Sequence, residues 1–438
     1  MYCEIFAKII LAKTMAGGVL QMSKMVIQGG TKLSGSVSVH GAKNAVLPIL
    51  AATLLTRDVS IIKNCPDLLD VRNTIEILSH LGAKVARKGD TLTIDTKNAD
   101  GTHIPEALMR KMRSSIIFMG AILARNGYAK ISAPGGCELG PRPIDLHIKA
   151  LKDLKADITE AHGYIICKGD NLSSGNIYLK FPSVGATENI MLAACLNAGK
   201  TVISNVAKEP EICDLADFLN KMGAKISGAG SSEIEIEGVS QLTGSTHSVM
   251  PDRIVAATYL CAAAATGSNI TLKNVVSDHI SSAIHILHDM GCIIETTPSS
   301  VHIVSPKKLI APEEIKTMPY PGFPTDMQSQ FLSALTLAEG TSIITENIFE
   351  SRFRHAEELN RMGADIKIVG RSAIIKGIDK LSAANVTAHD LRGAAALVIA
   401  ALSADGKTVI DEIDYLDRGY ENFAENLNKL GAKIYRTY

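Results

Sequence analysis

Net charge is what this chain lacks first: Lys+Arg and Asp+Glu each number 45, so no broad field of one sign points to nucleic acid or a polyanionic surface. Long apolar runs are also missing. The longest, residues 45–55 and 254–265, stop well short of the ~18 residues of a membrane span and read as buried helices. At the amino end Lys13 interrupts the apolar run 9–12, and no small-residue cleavage site follows, which argues against a secretory signal. Met15, Met22 and Met25 precede the first regular pattern, so residues 1–24 read as an extension outside the fold. The eight cysteines include no CxxC pair, which leaves neither a disulfide framework nor a zinc site and fits a reducing, cytoplasmic setting. Cys167, Cys195, Cys213, Cys261 and Cys292 sit in apolar periodic contexts and read as small buried hydrophobes. Zincin, nucleophile-elbow and dinucleotide fingerprints are absent. The fragments AGKT (198–201) and DGKT (405–408) lack the leading glycine of a phosphate loop and read as helix stops. His285, His288 and Asp289 read as the wet face of an amphipathic helix before they read as metal ligands.

What is present is repetition. The signatures beginning at Leu81, Leu154, Met222, Met290, Met362 and Leu430, of the LGAK type, follow one another at 73, 68, 68, 72 and 68 residues. Each copy carries an Ala-rich apolar helix, a short β-branched strand, an amphipathic helix such as 70–81 or 211–222, and closing strands. The signature's second residue, usually Gly, stops the amphipathic helix. Residues 233–237, Glu-Ile-Glu-Ile-Glu, alternate strictly, so one face of their sheet meets water. The first helix of each unit is apolar nearly all round and must be surrounded by protein. Buried helices beneath half-exposed sheets invert the usual doubly wound layout. Six units at this period suit two domains of three units each, with a boundary near 250–252. The strand-like segment 25–39 precedes the first helix, and the carboxyl-terminal half is one strand short. The domains expected are therefore 43–250 and, discontinuously, 25–42 with 251–438.

The chemistry-bearing residues lie at the loop ends of the units. In APGGCELGPRP (133–143) three glycines and three prolines place Cys137 in a loop, where a thiol is accessible. Lys43 and Asn44 open the first buried helix, so that an ammonium and a helix amino terminus face one anion. Arg113, Arg142, Arg392 and Arg418 each sit at such a junction. Singly each reads as a surface residue; together they suit bidentate capture of phosphate and carboxylate. Asp326 ends a Pro/Gly loop before a buried helix, either as an N-cap or as a carboxylate placed to take a proton from a hydroxyl.

The ordered set GAKN (41–44), MRSS (112–115), PGGC (134–137), RPIDLH (142–147), SVGATEN (183–189), PDRI (251–254), GFPTDMQ (322–328), IFESRF (348–353), DLR (390–392) and DRGYE (417–421) closely resembles the UDP-N-acetylglucosamine 1-carboxyvinyltransferase family of enolpyruvyl transferases. The resemblance runs from about Met25 to the carboxyl end. It implies two inside-out α/β barrels, each of three βαβαββ repeats, with the active site between them. It implies transfer of the enolpyruvyl group of phosphoenolpyruvate to the sugar 3-hydroxyl of UDP-N-acetylglucosamine with release of phosphate, the first committed step of peptidoglycan synthesis, without metal or organic cofactor. Carried over by motif, Lys43, Asn44, Arg142, Arg392 and Arg418 hold phosphoenolpyruvate, Asp326 is the base, and Cys137 is the proton donor and the site of a covalent adduct. Arg113, Arg142, Pro143, Ile144, Asp145, Leu146, Ser183, Val184, Gly185, Asp326 and Ile348 receive the UDP-sugar. Leu69 and Phe181 stand where some members carry Lys near the diphosphate, with Lys180 beside Phe181, and Ile117 stands where some carry Trp. The alternatives are a 3-phosphoshikimate 1-carboxyvinyltransferase, or a catalytically weak paralogue that binds UDP-sugars. Small-molecule substrates are the partners expected, with no nucleic acid and no membrane.

Overall fold

The computed structural model describes residues 23–132, 144–170 and 172–437. Cys137, Arg142 and Pro143 lie outside the described residues, as do residues 1–22. Ser23 and Lys24, expected to fall outside the fold, are part of it: Ser23 is buried and Lys24 opens a strand.

The third repeat shows how a unit is built. Its first helix, Val184–Ala194, is buried along its whole length from Ala186 onward. The strand Lys200–Ser204 follows, then the helix Pro210–Lys221, started by a proline at its first position, and the strands Lys225–Ser227 and Glu233–Glu237. Proline suits that position because its missing N–H would be unpaired there anyway. Ile203, Ile226, Ile234 and Ile236 turn inward, while Lys225, Glu233 and Glu237 face water, as the alternation predicts. Outward charges pair across the strands, Lys225 with Glu237 at 2.6 Å and Lys200 with Glu235 at 2.9 Å; exposed pairs of this kind add about 0–1 kcal/mol each.

Six four-stranded sheets of this type are found among the described residues, each with a parallel edge strand taken from a neighbouring unit. Thr246–Ser248 returns to pair with Val59–Lys63 and closes a cycle over the first three units. In the other half the missing pieces come from the start of the chain. Lys24–Gln28 lies between Lys407–Asp411 and Lys433–Thr437, and Ser34–Ser38 pairs with Asn269–Lys273. Two hydrophobic clusters result, one drawn from residues 42–250 and one from 25–39 with 254–434.

Polar side chains on the buried helices tie them together. Asn189 donates to the Ile116 carbonyl at 3.0 Å and accepts from the Gly120 amide at 2.6 Å. Gln330 reaches Thr258 and the Tyr420 hydroxyl, and Ser333 donates to the Ala396 carbonyl. Buried hydrogen bonds of this kind fix which helix faces which. After each amphipathic helix the chain turns through positive φ, at Gly82, Gly223, Gly291, Gly363 and Gly431 with φ of 90–104°, and at Lys155 with φ 68°. No helix among the described residues is long and apolar enough to cross a membrane.

Candidate active site

Two carboxylates, one buried and one half-buried, organise the ends of the helices where the two clusters meet. Asp70, near the start of the helix Leu69–His80, is 1% exposed. It receives the Lys43 ammonium at 2.8 Å and Arg418 Nε at 3.0 Å, with Arg418 Nη2 at 3.3 Å. Lys43 is the first residue of its helix, and Arg418 ends the turn Ile413–Arg418. Burial pushes the Asp70 carboxyl up, but Lys43 and Arg418 outweigh it and hold the group below the usual carboxylate range.

The second carboxylate is Asp326. Arg352 Nη2 donates to Oδ1 at 2.7 Å; Arg392 Nη2 at 3.0 Å and Asn44 Nδ2 at 3.4 Å donate to Oδ2. The N-cap alternative fails: Asp326 lies inside the short turn Thr325–Met327, and no backbone N–H of the following helix Gln328–Leu335 is capped by a side chain. Burial raises this carboxyl too, yet Arg392 and Arg352 hold it well below the usual range. Arg352 is set in turn by Thr325 Oγ1 at 3.0 Å and lies over the Phe349 ring. Glu346, 1% exposed, joins this corner by accepting from Thr317, Thr325 and the backbone amides of Ile348 and Phe349. Lys43 and Asn44 are adjacent, so one helix start reaches both carboxylates.

Four cations, Lys43, Arg352, Arg392 and Arg418, thus converge on two carboxylates. Buried donors are left over: Arg352 Nε and Arg392 Nη1 have no hydrogen-bond partner among the described residues. Unpaired guanidinium N–H groups match a small anion with several oxygens.

The candidates for the UDP-sugar fall into two places. Ile348 stands with Glu346 and Thr325, beside Asp326. Of the other described candidates, Arg113, Asp145 and Gly185 lie near His147, whose Nδ1 accepts from Asn189 at 2.9 Å. Burial, then Arg113, lowers its pKa to about 4, so the ring is neutral near pH 7. Ser183 caps the helix Val184–Ala194 through the Ala186 amide, and a Cβ on Gly185 would lie 3.1 Å from His147 Cε1, so a larger residue there would press on the imidazole. Ile144 and Leu146 pack on the first cluster, while Asp145 is exposed. Leu69 and Phe181 are exposed, whereas Ile117 is core.

The sequence reading did not single out Asp70, Arg352, Glu346, or the group formed by Glu188, Glu209, Glu211 and Arg253. Arg253 Nε donates to Glu211 at 2.9 Å, and Glu209 and Asp326 also act on its charge. Arg352 and Arg253 were within reach, since each sits inside a motif that carries the resemblance. Asp70 was not, because an acidic residue in a first helical turn is ordinary.

The six described cysteines are free; five are buried and Cys213 is half-buried. Burial pushes the thiols of Cys65, Cys167 and Cys195 up to about 12 and that of Cys292 to about 11. No group of three or more metal-ligating side chains occurs among the described residues.

The family model for EPSP synthase (3-phosphoshikimate 1-carboxyvinyltransferase) matches residues 27–427. A "UDP-N-acetylglucosamine 1-carboxyvinyltransferase 2" of Caldanaerobacter subterraneus subsp. tengcongensis is 54% identical over 415 residues, covering 95% of this chain and 100% of its own. The chain belongs to the UDP-N-acetylglucosamine 1-carboxyvinyltransferase family. A second member, from Carboxydothermus hydrogenoformans, is 50% identical over 95% of this chain and 98% of its own. Among solved structures, the enolpyruvyl transferase NikO from Streptomyces tendae superposes with a TM-score of 0.87 at 26% identity, covering 95% of this chain and 99% of that one. EPSP synthase from Acinetobacter baumannii, at 19% identity, shares the fold with a TM-score of 0.73 over 95% of this chain and 100% of its own.

Proposed function

We propose that this enzyme transfers the enolpyruvyl group of phosphoenolpyruvate to the 3-hydroxyl of UDP-N-acetylglucosamine and releases phosphate, in the cytoplasm, at the start of peptidoglycan precursor synthesis. The observation that carries the reading is the convergence of Lys43, Arg352, Arg392 and Arg418 on two carboxylates, with buried guanidinium donors that have no partner among the described residues. Phosphoenolpyruvate brings a phosphate and a carboxylate, the two groups such a cradle accepts. The near-complete match to family members named for this reaction supports the choice of sugar nucleotide over shikimate 3-phosphate.

In this reading the Cys137 thiol gives its proton to C3 of phosphoenolpyruvate while the sugar oxygen bonds to C2 and passes its proton to Asp326. The C2–O bond to phosphate then breaks, one proton of C3 passes back to the Cys137 thiolate, the double bond returns, and the proton held by Asp326 leaves with the phosphate. Arg392 explains how Asp326 becomes a base. Without substrate, Arg392 and Arg352 hold the carboxylate in a weakly basic state; once Arg392 turns to the phosphoenolpyruvate anion, that pull weakens and basicity rises. Residues 43–250 and 25–42 with 251–438 act as two inside-out barrels of three βαβαββ repeats with the site between them, a division supported by the two separate hydrophobic clusters. The Ser183–Gly185 corner and Ile348 hold the UDP-sugar from opposite sides.

The test is phosphate release from phosphoenolpyruvate with each acceptor. Release with UDP-N-acetylglucosamine and none with shikimate 3-phosphate is expected; release only with the shikimate compound, or with neither, overturns the reading.

A further inference from the structure

The two clusters are joined covalently at two crossings, and the crossings run side by side. The Ala42 amide donates to the Met250 carbonyl at 2.7 Å, the Asp252 amide to the His40 carbonyl at 2.9 Å, and Gly41 bridges Pro251 in antiparallel fashion. The crossing is tight, since a Cβ on Gly41 would lie 1.9 Å from the Asn64 carbonyl oxygen. Each segment leads at once into a buried helix, Lys43–Ala52 on one side and Arg253–Ala265 on the other.

Asp252, 3% exposed, serves both helices. Its Oδ1 accepts from the amides of Ile254 at 2.8 Å and Val255 at 3.0 Å, an ordinary N-cap. Its Oδ2 accepts from the Lys43 amide at 3.0 Å. The helix Lys43–Ala52 follows Ala42, which offers no capping side chain of its own. One carboxylate therefore stitches together the amino termini of helices from different clusters. Asp252 is also among the charges that act on Arg392, a cation contributed by the other half from Lys43.

We propose that Asp252 is a positioning residue for phosphoenolpyruvate: by fixing the Lys43 backbone to the start of the helix Arg253–Ala265, it sets the cations of one half against those of the other. The role rests on the reading given under Proposed function. Its chemistry is separable from stability, because Asn or Ser at 252 keeps an acceptor for the Ile254 and Val255 amides but loses the second oxygen that receives the Lys43 N–H.

Initial rates of phosphate release for wild type, D252N and D252S, with each substrate varied in turn, test it. The expected result is a KM for phosphoenolpyruvate raised about tenfold or more, ~1.4 kcal/mol, with the KM for UDP-N-acetylglucosamine within about twofold of wild type and the thermal midpoint little changed. A folded variant with wild-type KM for phosphoenolpyruvate, or equal rises in both KM values, overturns the positioning role and leaves the proposed function standing. A wild type that releases no phosphate overturns both. Hydrogen exchange on the wild type decides the matter if neither variant folds: the Lys43 amide should be protected as strongly as those of Ile254 and Val255, and a fast-exchanging Lys43 amide rejects the stitch.

Discussion

Glu188 lies in a helix that is buried all round, where burial, then Glu211 and Glu209, hold its carboxyl well above the usual range. A carboxyl raised in the folded state binds more protons there than in the unfolded chain, so its contribution is fully present below the unfolded pKa and is lost as pH rises toward the folded value. Glu188→Gln is therefore expected to raise the thermal midpoint at pH 8, with the gap closing below about pH 4.5; equal midpoints across that range would remove the argument. Asp326 runs the other way. Replacing Arg352 by Gln removes one of the two cations that depress it, so the acid limb of kcat/KM should move to higher pH, as a pH–rate profile reads directly. The described thiols are pushed up by burial, which leaves them poorly nucleophilic. Peptide mass spectrometry after fosfomycin treatment should accordingly find the adduct on Cys137, and an adduct on Cys195 or Cys261 would contradict the assignment.

Element boundaries repay the same reasoning. The helix stop is occupied by Gly in five units and by Lys155 in the second. At Gly82, φ is 103° and a Cβ would lie 2.5 Å from the Asn98 carbonyl oxygen, so Gly82→Ala should destabilise by more than ~1 kcal/mol. Lys155→Gly relieves a left-handed side chain worth about 1–2 kcal/mol, less the entropy that glycine adds to the unfolded state, so a gain below about 1 kcal/mol is expected. Denaturant melts of the two variants check both signs. The repeating signature made these stops legible. A second repeating device was not noticed: Asn64, Asn205 and Asn274, all at positive φ, donate from their carboxamides to the Val249, Leu179 and Val39 carbonyls at 2.7–2.8 Å. Each partner lies just beyond or within the segment that supplies the parallel edge strand, and identifying that strand requires the assembled sheet.

For the molecule as a whole, the ladder places Lys24 opposite Thr437, so the first and last strands among the described residues are antiparallel neighbours. Joining Thr437 to Lys24 through a short turn and opening the chain between Thr31 and Lys32 should give a circular permutant that folds and turns over, because the cut falls in a surface loop and every sheet keeps its strands. Deleting residues 1–38 instead removes the strand Lys24–Gln28 from between two partners, together with the edge strand Ser34–Ser38, and should abolish cooperative unfolding. Circular dichroism melts distinguish the cases, and a permutant that melts without cooperativity would count against the closed cycle of sheets.

The sequence by itself determined the repeating unit, its helix stops, the all-round burial of the first helices and the loop-end position of the charged residues, because these depend on spacing and on local backbone chemistry. Counting strands also pointed residues 25–39 toward the second half, and Met25, Ile27, Leu33, Val37 and Val39 pack in the second hydrophobic cluster. Which carboxylate meets which cation was decided only in the tertiary structure. Asp70 and Arg418 are 348 residues apart and Asn44 and Asp326 are 282 apart, and no local pattern encodes an encounter at that range. Asp252 shows the division within one side chain: the N-cap made by its Oδ1 is written in PDRI, while the bond of its Oδ2 to Lys43 exists only because two crossings of the chain pack side by side.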